Sequence, residues 1–410
     1  MFHVPEKIFF PPVLDQALVR FFWNGESPYK PDFKSKALAL KQLWPKLAKQ
    51  RGQAQEKHYS IDEKFAQTYA AYYLPANLLK LPLVLEEMKL LGLELGNAPL
   101  RWVDFGTGPG TVYWGLEWWA SRYRLNFEFW GVDQSKHFLD LGQKLSVALR
   151  QSLVASGESV SGVNHWEKLS AARSGDGFEG VIEKVRRIRP HAVSFMNSIA
   201  EFEPEIEVRA AKMLTLVDEL ARFSKSSGDP VWLILIEPGS QNSSRELLEL
   251  RRALLQHDQI KVWLPCLSDR PCGALQKPGD WCHEEVECEF PGWLNDIGAE
   301  AGLRKESLLF SYLVCSVGNH PSIKEWPSAG VRVVSQMMHE KGLDACFLCT
   351  QNGKIKGRVL KSARNPQNEG FLSSVRGDLF DRVELDEKGS VLSYEKKGEA
   401  PSSIVFPRPR

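Results

Sequence analysis

Between Leu100 and Ile236, strand-length and helix-length segments alternate, and this alternation constrains the fold more than any other feature of the chain. Leu100-Arg-Trp-Val-Asp-Phe reads as a strand, Thr111 to Arg122 as a helix, Phe127 to Val132 as a second strand and Ser135 to Leu153 as a long helix. A loop-rich stretch is expected to about Gly180. A helix with the basic residues Lys184 to Arg189 follows, then a strand at His191 to Met196, a helix at Glu205 to Ser224 and an apolar strand at Val231 to Ile236. Such alternation specifies a parallel sheet with helices on both faces. The right-handedness of each crossover then fixes most of the topology.

The flanks have a different texture. Up to about Asn97 the chain reads as helices: Val13 to Phe22 is apolar at helical spacing, Ser35 to Lys49 is amphipathic, and Ile61 to Leu93 carries runs of Ala, Leu, Tyr and Glu. Pro75 and Pro82 interrupt the last of these, so Tyr72-Tyr73-Leu74-Pro75 is expected to form a corner. From Val331 onward the pattern is β-rich. Val331 to Met338 and Asp344 to Thr350 read as strands, and Gln351-Asn352-Gly353 leads into Lys354 to Leu360 with the Asn-Gly signal of a hairpin. The expected organisation is a helical region over 1–97, an α/β domain over 98–325 that includes a cysteine loop at 265–283, a small β-rich unit over 326–398, and a disordered tail at 399–410. With 410 residues and 43% hydrophobic content the chain can bury a large core. A formal charge of +1 leaves no global signature of nucleic-acid binding, so any such surface must be local. No apolar run reaches spanning length and the start matches no secretory or transit pattern. A cytoplasmic protein without a membrane segment is expected.

Val103-Asp-Phe-Gly-Thr-Gly-Pro-Gly-Thr111 follows the first strand of the alternating region and opens a helix. Gly106, Gly108 and Gly110 let the backbone turn sharply and approach a ligand, and the helix N-terminus beyond offers unpaired N–H groups. The spacing is G-x-G-x-G, not the dinucleotide G-x-G-x-x-G, which disfavours a nicotinamide cofactor. Together with Asp104 ahead of it, the turn resembles the first motif of S-adenosylmethionine-dependent methyltransferases. On this reading Asp104, Gly106, Thr107, Gly108 and Gly110 line the cofactor, and Asp133, at the end of the second strand, accepts hydrogen bonds from both ribose hydroxyls. Asn197 and Glu201 follow the strand that would border the substrate pocket. They are candidates for contacts with cofactor or target, and equally for capping a helix start.

Cys266, Cys272 and Cys282 lie in a loop punctuated by Pro and Gly, and Cys349 lies far downstream. Turn residues permit the reversals that bring three thiols to one centre, and a distant fourth closes the shell. Seven cysteines, an odd number, with no secretory signal argue against a disulfide framework. Cys288, Cys315 and Cys346 read as buried and inert. An all-thiolate shell suits both zinc and iron–sulfur clusters, while the C-x5-C-x9-C spacing is too wide for a simple zinc ribbon.

Pro271-Cys-Gly-Ala-Leu-Gln-Lys-Pro-Gly-Asp-Trp-Cys-His283, with the glycine turn, Ile236-Glu-Pro-Gly-Ser240 and Phe310-Ser-Tyr-Leu-Val314, is similar to the mitochondrial small-ribosomal-subunit methyltransferase-like family and its bacterial relatives. The likeness runs from about Ala66 to Asp381. It takes in Ala70-Ala-Tyr-Tyr-Leu-Pro-Ala76 upstream, and Leu348-Cys-Thr-Gln-Asn-Gly353 and Ser373-Ser-Val-Arg-Gly-Asp-Leu-Phe380 downstream. The resemblance implies a Rossmann-like methyltransferase fold whose β-rich C-terminal unit is tethered by metal. It also implies association with the small ribosomal subunit or its assembly, and a [4Fe–4S] cluster held by Cys266, Cys272, Cys282 and Cys349. Zinc is the alternative, since Cys346-x-x-Cys349 can pair with two loop thiols. The protein is expected to be monomeric away from the ribosome.

Two functions then compete. One is an S-adenosylmethionine-dependent methyltransferase acting on small-subunit rRNA; the other is a catalytically inactive assembly factor that binds rRNA and uses the fold as a scaffold. No catalytic acid, base or nucleophile stands out. For RNA contact the candidates are Lys354, Lys356, Arg358, Lys361 and Arg364, the run Lys184 to Arg189, and Tyr72 and Tyr73 as stacking groups, each also readable as a solvated face or as core packing.

Overall fold

The computed structural model describes residues 2–3, 7–29, 35–42, 62–96, 99–160, 162–169, 177–266, 268–303, 305–322, 330–396 and 402–403. A central sheet is built from β1 (Lys7–Phe9), β2 (Leu100–Phe105), β3 (Phe127–Asp133), β4 (Val163–Lys168), β5 (Ala192–Met196), β6 (Val231–Pro238), β7 (Ile260–Leu264), β8 (Glu284–Glu289) and β9 (Ser307–Val317). Its order is β4-β3-β2-β5-β6-β9-β8-β1, with β7 also paired to β9. The strands from β4 to β6 run parallel. The long β9 is antiparallel to β6 from Phe310 to Val317 and takes β7 and β8 on opposite halves of its other edge. Chain order reverses beside β2, with β3 and β4 on one side and β5 and β6 on the other. This is the switch point of a Rossmann-like sheet, where a crevice opens beyond the carboxyl ends of the strands.

Strand alternation divides the core between the two faces. Leu100 and Trp102 of β2 pack with the N-terminal helices α1 (Pro12–Trp23), α2 (Glu63–Asn77) and α3 (Lys80–Leu90), while Val103 and Phe105 face the other layer. Asp62 starts α2 by accepting a hydrogen bond from the Phe65 amide at 2.7 Å. The corner expected at Tyr72 to Pro75 falls later. Pro75 stays inside the last turn of α2, the Asn77 side chain caps the Tyr73 carbonyl at 2.7 Å, and the chain bends at Leu78 and Leu79. Pro82 sits in the first turn of α3, where a missing N–H costs nothing. Of the amphipathic stretch at 35–49, residues 35–42 are helical and the remainder lies outside the described residues.

The stretch read as loop up to Gly180 contains β4. It is an edge strand that pairs only with β3, and its polar sequence Val-Asn-His-Trp-Glu-Lys hides the strand signal. After the glycine turn, α4 (Thr111–Tyr123) and α5 (Lys136–Ala155) match expectation, as do α6 (Gly177–Ile188) and α7 (Ile206–Ser227), and α8 (Gln241–Leu254) follows β6.

A second sheet comprises β10 (Val331–Val333), β11 (Met338–Glu340), β12 (Leu343–Thr350), β13 (Gly353–Leu360), β14 (Leu379–Leu385) and β15 (Val391–Lys396), with its own apolar core. The expected single strand from Val331 to Met338 is split in two. The β12–β13 hairpin turns on Gln351 and Asn352, with Thr350 opposite Gly353. Phe2–His3 pairs with Ser402–Ser403 and reaches β14. The rest of the tail, read as disordered, lies outside the described residues.

Candidate cofactor turn and thiol centre

The glycine turn connects β2 to α4 at the switch point. Gly106, Gly108 and Gly110 have φ of 70°, 54° and 90°, a region that favours glycine. Two of them are also required by packing: a Cβ on Gly106 would collide with Ser198, and one on Gly110 would sit 2.6 Å from the Trp166 ring. Gly108 differs, since a Cβ there would meet nothing within 4 Å. Its backbone faces open space.

Two buried carboxylates flank this turn. Asp133 accepts from the Gly108 amide at 2.9 Å and the Ser135 amide at 2.8 Å. Burial pushes its carboxyl up, and these amides pull it partly back. Asp104 accepts from the Ser194 hydroxyl at 2.6 Å, and the Thr107 hydroxyl buried beside it also favours the charged carboxylate. Burial pushes Asp104 up to about 7, against the effect of Ser194. Across the switch point Asn197 has a left-handed φ of 55°, donates its amide to the Ile236 carbonyl at 2.8 Å, and leaves its Oδ1 buried and unpartnered. Asp104, Gly106, Thr107, Gly108, Gly110, Asp133 and Asn197 thus gather at the carboxyl ends of β2, β3 and β5. Glu201, in the short helix Ile199–Phe202, is exposed.

Trp166 was not anticipated. Its indole fills a slot made by glycines on three elements, Gly110, Gly131 and Gly142, whose added Cβ atoms would lie 2.6, 2.9 and 2.6 Å from the ring. A chain of hydrogen bonds holds it: Trp166 Nε1 to Asn164 Oδ1 at 2.9 Å, Asn164 Nδ2 to Tyr113 at 3.0 Å, and the Tyr113 hydroxyl to Glu117 at 2.5 Å. The only local sequence sign is a Trp inside a polar strand.

The four thiols lie within one another's electrostatic field. Cys282 is pushed well up by burial and then by Cys272, Cys266 and Cys349; Cys349 is pushed up to about 12 by burial, then by Cys266 and Cys272; Cys272 is raised by burial and by Cys266. Packing places the loop against the second sheet. Cys349 on β12 is the register partner of Lys354, whose amide nitrogen lies 2.7 Å from where Gly273, next to Cys272, would carry a Cβ. As the thiols stand, no group of three or more His, Cys, Asp or Glu among the described residues is arranged as a metal site. Cys288, Cys315 and Cys346 are buried in three separate cores. Cys346 and Cys349 are an odd number apart on β12 and point to opposite faces, so they cannot act together as a metal-binding knuckle.

The surroundings of the thiols are cationic and short of acceptors. Arg251 Nε, Arg376 Nε and His283 Nδ1 are all buried without partners. Arg376 donates to the His283 and Val334 carbonyls at 2.9 and 2.8 Å. His283 is pushed down to about 4 by burial, Arg376 and Lys354. A small cavity of about 20 Å³ lined by Cys266, Cys282, His283 and Leu247 opens beside them. The stranded Nε–H groups of Arg251 and Arg376 beside the four thiols complement an anionic, acceptor-rich group, and neither zinc tetrathiolate nor a thiolate-held cluster would be out of place there.

Next to the loop runs a buried ion network. Arg332 of β10 donates to Glu87 of α3 at 2.6 Å, to the Tyr312 hydroxyl at 3.2 Å and to the Pro265 carbonyl at 3.2 Å, and its Nε lies 3.5 Å from Glu284. Tyr312 in turn donates to Glu87. One guanidinium thereby joins the N-terminal helices, the central sheet, the thiol loop and the second sheet.

The basic candidates are largely paired. Lys354 meets Asp280 at 2.6 Å, Lys356 meets Glu340 at 2.7 Å, Arg364 pairs with Asp344, and Lys361 donates to the Glu340 carbonyl at 3.1 Å. Lys184 and Arg187 share Glu167, and Arg186 pairs with Glu219. Tyr72 and Tyr73 are buried in the core, edge to face with each other at 5.2 Å, so they pack and do not offer a stacking surface. Among the described residues no helix is long and apolar enough to cross a membrane.

Fold and site together define a class: a Rossmann-like α/β protein with an open glycine turn at its switch point and a thiol-bearing loop docked on a second sheet. Residues 207–388 match the sequence profile of the family described as mitochondrial small ribosomal subunit Rsm22, and over that span the family resemblance read from the sequence is shown. No curated protein matches the chain. Solved structures similar to it include an O-methyltransferase family protein from Burkholderia thailandensis, at 13% identity and TM-score 0.34, covering 72% of this chain and 75% of that one. A SAM-dependent methyltransferase from Geobacter sulfurreducens in complex with S-adenosyl-L-homocysteine has 13% identity and TM-score 0.33, covering 64% and 100%. A SAM-dependent methyltransferase from Aquifex aeolicus has 12% identity and TM-score 0.31, covering 63% and 100%. These likenesses are loose, and the fold assignment rests on strand order.

Proposed function

We propose that this protein binds S-adenosylmethionine at the glycine turn and acts as a methyltransferase-like protein on the small ribosomal subunit or its rRNA. The observation that carries the reading is the pairing of an open turn at Gly108 with two buried carboxylates, Asp104 and Asp133, at the switch point of the sheet. Asp133 spends part of its capacity on two amides and keeps lone pairs for ribose hydroxyls. Asn197 Oδ1 is a buried acceptor awaiting an N–H or O–H donor, the kind of group that ligand binding satisfies. In methyl transfer the protein's main task is alignment of donor and acceptor, which needs no acid or base at the mouth. The proposed partner follows from the family's description.

The four thiols Cys266, Cys272, Cys282 and Cys349 are the proposed ligands of a [4Fe–4S] cluster, with zinc as the alternative for the same donor set. The stranded N–H donors around them support an anionic group there. Such a group would supply a covalent tie between the loop and the unit over 326–398.

Calorimetry with S-adenosylmethionine tests the first claim: heat with the wild type and none with Gly108→Val is expected, and no heat with the wild type would end it. A second reading is the inactive assembly factor, which would keep the cofactor turn and use the fold as a scaffold. Transfer of labelled methyl to isolated small subunits separates the two.

A further inference from the structure

Helix α8 carries a buried charge that no carboxylate among the described residues meets in an ion pair. Arg251 is 2% exposed, yet among the described residues no Asp or Glu forms an ion pair with it. Its guanidinium donates to the carbonyls of Ser268 and, at 3.0 Å, Arg270, both in the loop between Cys266 and Cys272, and its Nε has no partner. Arginine cannot shed its proton, so a buried guanidinium needs an anion. Carbonyl oxygens orient it without neutralising it. The acidic groups whose fields reach it are the thiols of Cys266, Cys272, Cys349 and Cys315 and the carboxylate of Asp269, and Asp269 is exposed to solvent, which screens it.

We infer that Arg251 is the fixed counter-cation of a net-anionic metal–thiolate centre, supplied by the Rossmann-like domain and aimed at Cys266 and Cys272. The inference rests on the reading that the four thiols hold a metal centre, and it holds for zinc as for an iron–sulfur cluster, since four thiolates outweigh either core. Arg251 is a positioning residue: it sets the field at the centre and makes no bond to metal. Thiolates held beside a buried cation are stabilised, and a cluster beside a positive charge accepts an electron more readily.

Two variants separate charge from hydrogen bonding. Arg251→Lys keeps the charge and loses the two-pronged fork; Arg251→Gln keeps amide donors for a loop carbonyl and loses the charge. Each full-length protein is purified without oxygen and assayed for bound metal, for the rate of metal loss to a chelator and, if iron is present, for reduction potential. Hydrogen exchange of the metal-free proteins over 266–272 reports the loop independently of metal. The expected result is metal loss at least about tenfold faster in Arg251→Gln, with a more negative potential, and retention within about threefold of wild type in Arg251→Lys. If Lys and Gln behave alike, both retained or both lost, the counter-charge role is overturned. A wild type that carries no metal overturns the centre itself, and this inference with it; a metal-bearing wild type with indifferent variants overturns this inference alone.

Discussion

Replacing Arg332 by Met should separate the second sheet from the rest of the molecule more effectively than any surface change. The Arg332 side chain is 2% exposed, and those of its two carboxylate partners Glu87 and Glu284 are 6% and 7% exposed. Met conserves much of the volume, so packing loss is minor. What remains is Glu87 without its cation, Glu284 with only the more distant Arg376, and an unpaired Pro265 carbonyl. Breaking a buried pair by removing one partner costs about 3–5 kcal/mol, a large share of a typical total stability of about 5–15 kcal/mol. Urea denaturation of the variant should show a loss of that size, and limited proteolysis should release the 330–396 segment under conditions that leave wild type intact. The pH dependence has a definite sign. Burial already raises the Glu284 carboxyl, and loss of Arg332 raises it further. A raised carboxyl favours the folded state when protonated, so the deficit should shrink at pH 5 and grow at pH 8. Glu87→Gln combined with Arg332→Met should be less damaging than the sum of the single changes by at least about 1 kcal/mol. A loss under about 1 kcal/mol with an unchanged digestion pattern would refute the claim that Arg332 clamps the two sheets.

Asp104→Asn tests burial at the cofactor turn. With its carboxyl raised to about 7, the folded protein holds a proton that the unfolded chain has released between about pH 4 and 7, so stability falls as pH rises through that window. The Asn variant should lose this slope, on the order of a few kcal/mol, in denaturation midpoints taken at pH 5 and 8. Gly110→Ala should destabilise by more than about 2 kcal/mol because its Cβ meets the Trp166 ring, whereas Gly108→Ala should cost only about 1 kcal/mol of left-handed strain; thermal unfolding compares them, and equal costs would contradict the packing described.

Much of the central sheet could be read from the sequence because its buried parallel strands are apolar and its turn is written in glycines. The segment Val163–Lys168 could not, since an edge strand alternates polar residues into solvent and resembles loop. The three strands between α8 and β10 also escaped notice, being interleaved with the cysteine loop and paired antiparallel through β9, a non-local arrangement with no local signature. Arg251 and Arg332 show the same limit at the level of single residues. Within Glu-Leu-Arg-Arg and Val-Arg-Val-Val an arginine reads as a solvated charge, and only tertiary packing reveals that it is buried. Thiol spacing suggested a shared centre, whereas the docking of Gly273 on Lys354 that brings Cys349 to the loop depends on the whole second sheet. The basic run after Lys354 was read as exposed charge because its carboxylate partners, Asp280, Glu340 and Asp344, are contributed by other strands and by the loop.

The central claim, that thiols from the loop and from β12 meet at one inorganic centre, is tested most directly by metal and sulfide analysis with visible absorption on oxygen-free preparations of wild type and Cys349→Ser. About four iron and four labile sulfide per wild-type chain are expected, or one zinc under the alternative, with marked loss in the variant. A wild type free of both metals, or a Cys349→Ser protein that retains its metal unchanged, would contradict it.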